Sequence, residues 1–252
     1  MEQPSFDVRA LLAPPNILTA KRVLCIQPHP DDNEIGMGGT MAALKNLGCD
    51  LHALTVTDGS QGNRDRSATP EATKEIRRKE TQEAGKHLGV SHFYFLDEPD
   101  GTLSDIVGLS EKIADVIRQA KPDVIFCPDP WLPYEGHYDH IVTGRAASNA
   151  FHMSGRQNLK SSAHPPFGAS AIAYYFTANP NTVLDISPFF EQKFEAIALH
   201  QSQMDFETLA MYRVYFQMKA ADLAKGQDFV LGEGFKALSA IHTHCFVDAI
   251  HI

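Results

Sequence analysis

The sequence predicts an α/β fold in which a mostly parallel sheet is covered by helices on both faces. Two observations carry that prediction. Between residues 22 and 151, short and nearly continuous apolar runs alternate with longer segments of helical apolar periodicity. Capping residues, glycines and prolines separate the two kinds of segment. A β-α-β-α repetition of this kind folds as a Rossmann-like three-layer sandwich.

Arg22–Gln27 reads as the first strand, and Gly36–Leu47 as a helix with Ile35, Met37, Met41, Leu44 and Leu47 on or near one face. Leu51–Thr57 is a second strand, followed by the polar loop Asp58–Asn63. Thr69-Pro70, an N-cap followed by proline, starts a long helix that runs to Leu88 and stops at Gly89. Phe93–Leu96 is a third strand, Ile106–Gln119 a helix ended by Lys121-Pro122, and Val124–Cys127 a fully apolar fourth strand. A Pro-rich loop, Pro128–Gly136, leads to His137–His140, and a helix follows to Phe151. Arg156–Gly168 reads as loop. Ala171–Thr177 and Thr182–Ile186 read as strands joined by the turn Asn179-Pro180-Asn181. Phe189–His200 and Phe206–Ala224 are helical, and His242-Thr243-His244 alternates as a strand would. No linker divides the chain, which predicts a single domain over residues 1–252.

Composition excludes several functions. A net charge of -9 with no basic run argues against nucleic-acid partners and against an anionic membrane surface. No apolar stretch reaches the length of a membrane span, and Met1–Ala20 has neither the basic nor the apolar region of a secretion signal. The four cysteines form no Cys-x-x-Cys pair, and Cys25 and Cys127 fall inside apolar strands. The expectation is a reduced, cytoplasmic protein without disulfides.

In an open α/β sheet, ligands bind beyond the carboxyl ends of the strands. Three polar clusters fall there: His29-Pro30-Asp31-Asp32, Thr57-Asp58-Gly59, and Gly136-His137-Tyr138-Asp139-His140. A catalytic zinc site takes three protein ligands and leaves one position open. His29 with Asp31 or Asp32 supplies two ligands, and His137 or His140 a third. The remaining carboxylate of the Asp31-Asp32 pair is placed to take a proton, and Asp139 to orient a neighbouring imidazole. Gly36-Met37-Gly38-Gly39 lacks the fingerprint of dinucleotide or phosphate loops, so its glycines serve close helix–sheet packing. No Gly-x-Ser-x-Gly elbow is present. The other histidines, His52, His92 and His200 among them, read as surface or packing residues.

With these motifs the chain resembles the PIG-L/LmbE-like zinc-dependent N-acetylglucosaminide deacetylases over nearly its whole length. Gly38-Gly39-Thr40, Arg77-Arg78-Lys79-Glu80, Leu88-Gly89-Val90, Asp100-Gly101 and Gln203 extend the likeness. Pro128–Glu135, His200-x-Ser202-Gln203 and Gly232-Glu233-Gly234-Phe235 are similar to the branch of the family that deacetylates diacetylchitobiose in chitin degradation. That branch carries His-Pro-Asp-His where this chain has Tyr138 in place of the proline, a change expected to alter loop stiffness more than ligation.

The resemblance implies that His29, Asp32 and His140 hold one Zn2+, although another divalent transition metal could replace it. It implies that Asp31 is the general base. His137 stabilises the tetrahedral oxyanion as an imidazolium and can protonate the leaving amine. Arg77 and Asp100 contact the sugar, and Trp131, the only tryptophan, is placed to stack on it. The partners implied are a small amino-sugar substrate and further copies of the chain, in a trimer or hexamer. Two rival readings remain at this point. One is deacetylation of a GlcNAc-malate or GlcNAc-inositol thiol precursor; the other is a catalytically silent, zinc-dependent sugar-binding protein.

Overall fold

A computed structural model describes residues 13–65, 67–159 and 161–252. Met1–Leu12, which bear on the absence of a secretion signal, lie outside the described residues. Seven strands form one sheet: β1 Arg22–Gln27, β2 Asp50–Thr57, β3 Val90–Glu98, β4 Val124–Pro128, β5 Ala171–Tyr175, β6 Thr182–Asp185 and β7 Gly232–Ser239. Their order is β3-β2-β1-β4-β5-β7-β6. β1 to β5 run parallel, and β7 pairs antiparallel with both β5 and β6. The helices are α1 Asp32–Asn46, α2 Pro70–His87, α3 Ile106–Ala120, α4 Tyr138–Met153, α5 Phe190–Ala198 and α6 Phe206–Leu223. Among the described residues, no helix is long and apolar enough to cross a membrane.

Strand alternation divides the core in two. Val23 and Cys25 of β1 face one layer, with Met41 and Leu44 of α1, Ala84 of α2 and Ala196 of α5. Leu24 and Ile26 face the other, with Ile113 and Ile117 of α3 and Val142 and Ala146 of α4. This is the predicted three-layer sandwich. β1 lies between β2 and β4, so the strand order reverses there, and the crevice at that reversal opens at the carboxyl ends of β1 and β4.

Three expectations are corrected. The helix expected from Gly36 starts at Asp32, which brings the paired carboxylates to its first turn. β5 and β6 are not a hairpin, because β7 is inserted between them. His242-Thr243-His244 lies in turns; the final strand is β7, which ends at Ser239. Its two glycines, Glu233 and Lys236 dilute any strand signal. The Gly-rich run does serve packing: a Cβ on Gly36 would stand 2.5 Å from the Tyr175 ring, and one on Gly39 2.7 Å from Ile186.

Glu233 has a definite task. α1 is broken at Met37 (φ -149°, ψ 20°), which frees the amides beyond it. The Glu233 carboxylate accepts from the Gly39 amide at 3.2 Å and the Thr40 amide at 2.7 Å, capping the second half of the helix from a distant strand. Lys193 of α5 donates to it at 2.6 Å, and both side chains are buried. Replacing Glu233 by Ala leaves a buried ammonium unpaired, at a cost of about 3–5 kcal/mol. The melting temperature is expected to drop by about 10 °C or more. The double variant Glu233→Gln/Lys193→Met, which removes both charges, recovers most of that loss in a thermal melt.

Candidate metal centre and cleft

The loop after β1 is fastened before it reaches the cleft. The Gln27 side chain donates to Thr55 Oγ1 at 2.9 Å and accepts from the Asn33 amide at 2.9 Å, and Asn33 donates back to the Cys25 carbonyl at 3.2 Å. Thr57 binds the Pro28 carbonyl through both its amide and its hydroxyl. These contacts hold His29–Asp32 over the end of the sheet. Asp31 pays for that position with a φ of 125°, a region that non-glycine residues rarely enter and that costs on the order of 1–3 kcal/mol.

Arg77 of α2 braces the strained turn. It donates to the Pro30 carbonyl at 2.8 Å and to the Gly59 carbonyl at 3.0 Å, and its Nη2 lies 3.5 Å from Asp31 Oδ2. It lines the cleft, yet its guanidinium is spent largely on backbone oxygens.

The histidines converge. The His29 ring lies 4.4 Å from that of His137 and 5.3 Å from that of His140. Asp32 spans two of them: its oxygens lie 3.3 Å from His29 Nδ1 and 3.4 Å from His140 Nε2. Ligand atoms about 2.0–2.1 Å from a tetrahedral ion stand roughly 3.4 Å apart, which each spacing approaches, although the two run to different Asp32 oxygens. Among the described residues no carboxylate lies within ion-pair distance of the His137 ring, although His137 offers a nitrogen within 4.8 Å of those of His29 and His140.

His29 is held from behind. Its Nε2 lies 3.2 Å from Asp100 Oδ1 and 3.2 Å from Asp139 Oδ2. Asp139 also accepts from the Gly101 and Leu103 amides at 2.7 and 3.2 Å, and Asp100 from the Gln61 amide at 3.0 Å. A carboxylate behind a metal-binding imidazole fixes its tautomer and orientation. Burial would lower the pKa of His29, but its bonds to Asp100, Asp139 and Asp32 outweigh it and push the value up to about 11. So much convergent negative charge calls for a cation, which supports the fit to a metal.

The adjacent carboxylates differ in environment. Burial raises the pKa of Asp31, Asp32 adds to the rise, and Arg77 opposes it; the net movement is upward. Asp32 is equally buried, but His140 and His29 draw its pKa down. Such separation within a pair marks one carboxylate for proton transfer and the other for permanent charge. His137 is pulled below its ordinary value by burial and by its neighbours His29 and His140.

Of the sequence-expected residues, His29, Asp31, Asp32, Arg77, Asp100, His137 and His140 line one cleft of about 990 Å³, and Asp139 lies behind it. Trp131 does not line it. Its ring meets Tyr174 edge-on at 5.5 Å, carries the Arg145 guanidinium at 4.5 Å, and is half exposed. Trp131→Ala is therefore expected to leave KM within about twofold, since the indole stacks on the protein's own side chains. Glu135 received no role from the sequence, although it binds the His137 amide at 2.7 Å and lies 3.7 Å from His140 Nδ1. Phe176, stacked 6.3 Å from His140, was also missed. No motif points to an aromatic at the end of β5.

A hydrolytic enzyme of the α/β type is the class defined by a doubly covered sheet with an Asp-His cluster and a separate carboxylate at its switch point. Residues 24–151 match PIG-L, the GlcNAc-PI de-N-acetylase family, and the chain belongs to that family. It is 34% identical to the diacetylchitobiose deacetylase of Thermococcus kodakarensis, covering 89% of this chain and 85% of that protein. It is 29% identical to a probable N-acetyl-alpha-D-glucosaminyl L-malate deacetylase of Bacillus cereus, over 73% of this chain and 84% of that one. The solved structure of the N,N'-diacetylchitobiose deacetylase from Pyrococcus horikoshii, bound to an inhibitor, superposes with a TM-score of 0.87 at 34% identity. It covers 98% of this chain and 92% of its own.

Proposed function

We propose that this protein is a zinc-dependent N-deacetylase that hydrolyses the acetamide of a GlcNAc-containing small molecule, N,N'-diacetylchitobiose or GlcNAc, to acetate and a free amine. The observation that carries the reading is the division between Asp32, engaged by two imidazoles, and Asp31, engaged by none and set in the cleft. His29, Asp32 and His140 hold the ion. Two imidazoles and a carboxylate suit zinc, and iron, cobalt or nickel accept the same donors.

A bound divalent cation supplies Lewis acidity toward the acetamide carbonyl and the attacking water. Asp31 takes a proton from that water as its oxygen adds to the carbonyl carbon, and returns it to nitrogen as the C–N bond breaks. His137 donates a ring N–H to the carbonyl oxygen as negative charge develops there. Arg77 keeps Asp31 in its strained position, and Asp139 with Asp100 keeps His29 aimed. Exposed Met211, Val214 and Met218 on α6 support a homo-oligomer, and the family resemblance implies a trimer or hexamer. Three buried, unpaired cysteines support a cytoplasmic setting, and one continuous sheet supports a single domain.

The similarity to the malate-conjugate deacetylase keeps a second substrate in view. The deciding experiment compares kcat/KM for diacetylchitobiose, GlcNAc, GlcNAc-malate and GlcNAc-inositol. The chitin-derived sugars are expected to be preferred; preference for a malate or inositol conjugate would move the enzyme to thiol biosynthesis.

A further inference from the structure

At the end of the sheet opposite the cleft, three side chains of metal-binding chemistry share one face. Asp50 opens β2, and His52 follows two residues later. His92 on β3 is the direct ladder partner of His52. Residues two apart on a strand, and partners across a parallel ladder, project to the same side. The His52 and His92 rings stack at 4.4 Å with 26° between their planes, and His52 Nε2 lies 3.1 Å from Asp50 Oδ2. One donor atom from each of the three lies within 4.8 Å of the other two. His52 is buried and His92 exposed, so solvent can reach the face of the cluster.

The hydrogen bonds around the rings are those of oriented ligands. His52 Nδ1 lies 3.2 Å from the Tyr94 hydroxyl, and His92 Nδ1 2.9 Å from Ser91 Oγ. Ser91 spends its hydroxyl proton on Asp50, so His92 donates Nδ1–H and carries its lone pair at Nε2, whereas His52 donates Nε2–H to the Asp50 carboxylate and gives up that proton on binding an ion. Ser91 also donates to Asp50 Oδ1 at 2.6 Å, tying the carboxylate to the same network. One competitor is present: Arg22 Nε lies 2.8 Å from Asp50 Oδ2. Its side chain is 41% exposed and also donates from Nη1 to the Ala120 carbonyl at 3.1 Å, so an ion has to displace the Nε contact to take that oxygen.

We propose that Asp50, His52 and His92 form a second divalent transition-metal site, separate from the cleft, that fastens the edge strand β3 to β2. Two imidazoles and one carboxylate select zinc, nickel or copper over magnesium or calcium. Solvent completes the coordination, and the ion's contribution is to stability by preferential binding to the folded chain.

The test is equilibrium dialysis of the full chain against zinc, with bound metal counted by mass spectrometry. Wild type is expected to bind two ions, His92→Ala one, Asp32→Ala one, and the double variant none. His87→Ala, which disrupts the exposed His87–Glu195 pair, is expected to keep both. Zinc at a hundredfold excess over its dissociation constant should raise the melting temperature of Asp32→Ala by roughly 5 °C or more, and leave that of the double variant unchanged. Equal loading of His92→Ala and wild type, whether one ion or two, or equal losses in His87→Ala and His92→Ala would overturn the proposal. Loss of an ion in His92→Ala but not in Asp32→Ala would uphold this site while refuting the catalytic one.

Discussion

Asp31→Asn is expected to lower acetate release by about a hundred- to ten-thousand-fold while leaving zinc content unchanged, because on the proposed mechanism it removes only the proton acceptor. Asp31 is buried, strained at φ 125°, and unengaged by His29 or His140. Asparagine tolerates positive φ better than most residues and carries no charge to desolvate. The variant should therefore melt within a few degrees of wild type, relief of the buried charge offsetting the lost pairing with Arg77. Activity lost without loss of metal or stability is what distinguishes a general base from a ligand or a packing residue. Turnover near the wild-type rate would place the base elsewhere.

Asp32→Ala is expected to behave in the opposite way toward metal. Asp32 contacts His29 and His140 through separate oxygens, at 3.3 and 3.4 Å, and accepts the His29 amide at 2.9 Å. On the proposed ligand set, removing it takes a charged ligand from the metal and loosens the loop that presents His29. The catalytic ion should be lost on dialysis, and acetate release should fall below detection even though Asp31 remains. Metal content and acetate release, measured on one preparation, check this. Retention of both would show that His137 completes the ligand set in place of Asp32.

Much of the site was legible because its residues sit just beyond strand ends. Apolar runs located β1, β2 and β4, and a parallel sheet gathers the loops at their carboxyl ends into one crevice. The parts that could not be read depended on partners distant in the chain. Glu233 looks like a poor strand residue until Lys193 and the broken turn of α1 are beside it. Arg77 looks like a sugar ligand, but its donors reach the carbonyls of Pro30 and Gly59. Trp131 sits in the right loop, yet its side chain turns to Tyr174 and Arg145. The strain at Asp31 has no sequence signature, since its positive φ is imposed by the surrounding structure and not by the residue type.

The most direct test measures acetate and free amine released from N,N'-diacetylchitobiose by one preparation in three states: as purified, after chelation, and after zinc is restored. Equal amounts of acetate and amine, loss of both on chelation, and recovery with zinc are the expected results. Undiminished release from protein shown to be metal-free, or no release from protein carrying zinc at His29, Asp32 and His140, would contradict a metal-dependent deacetylase.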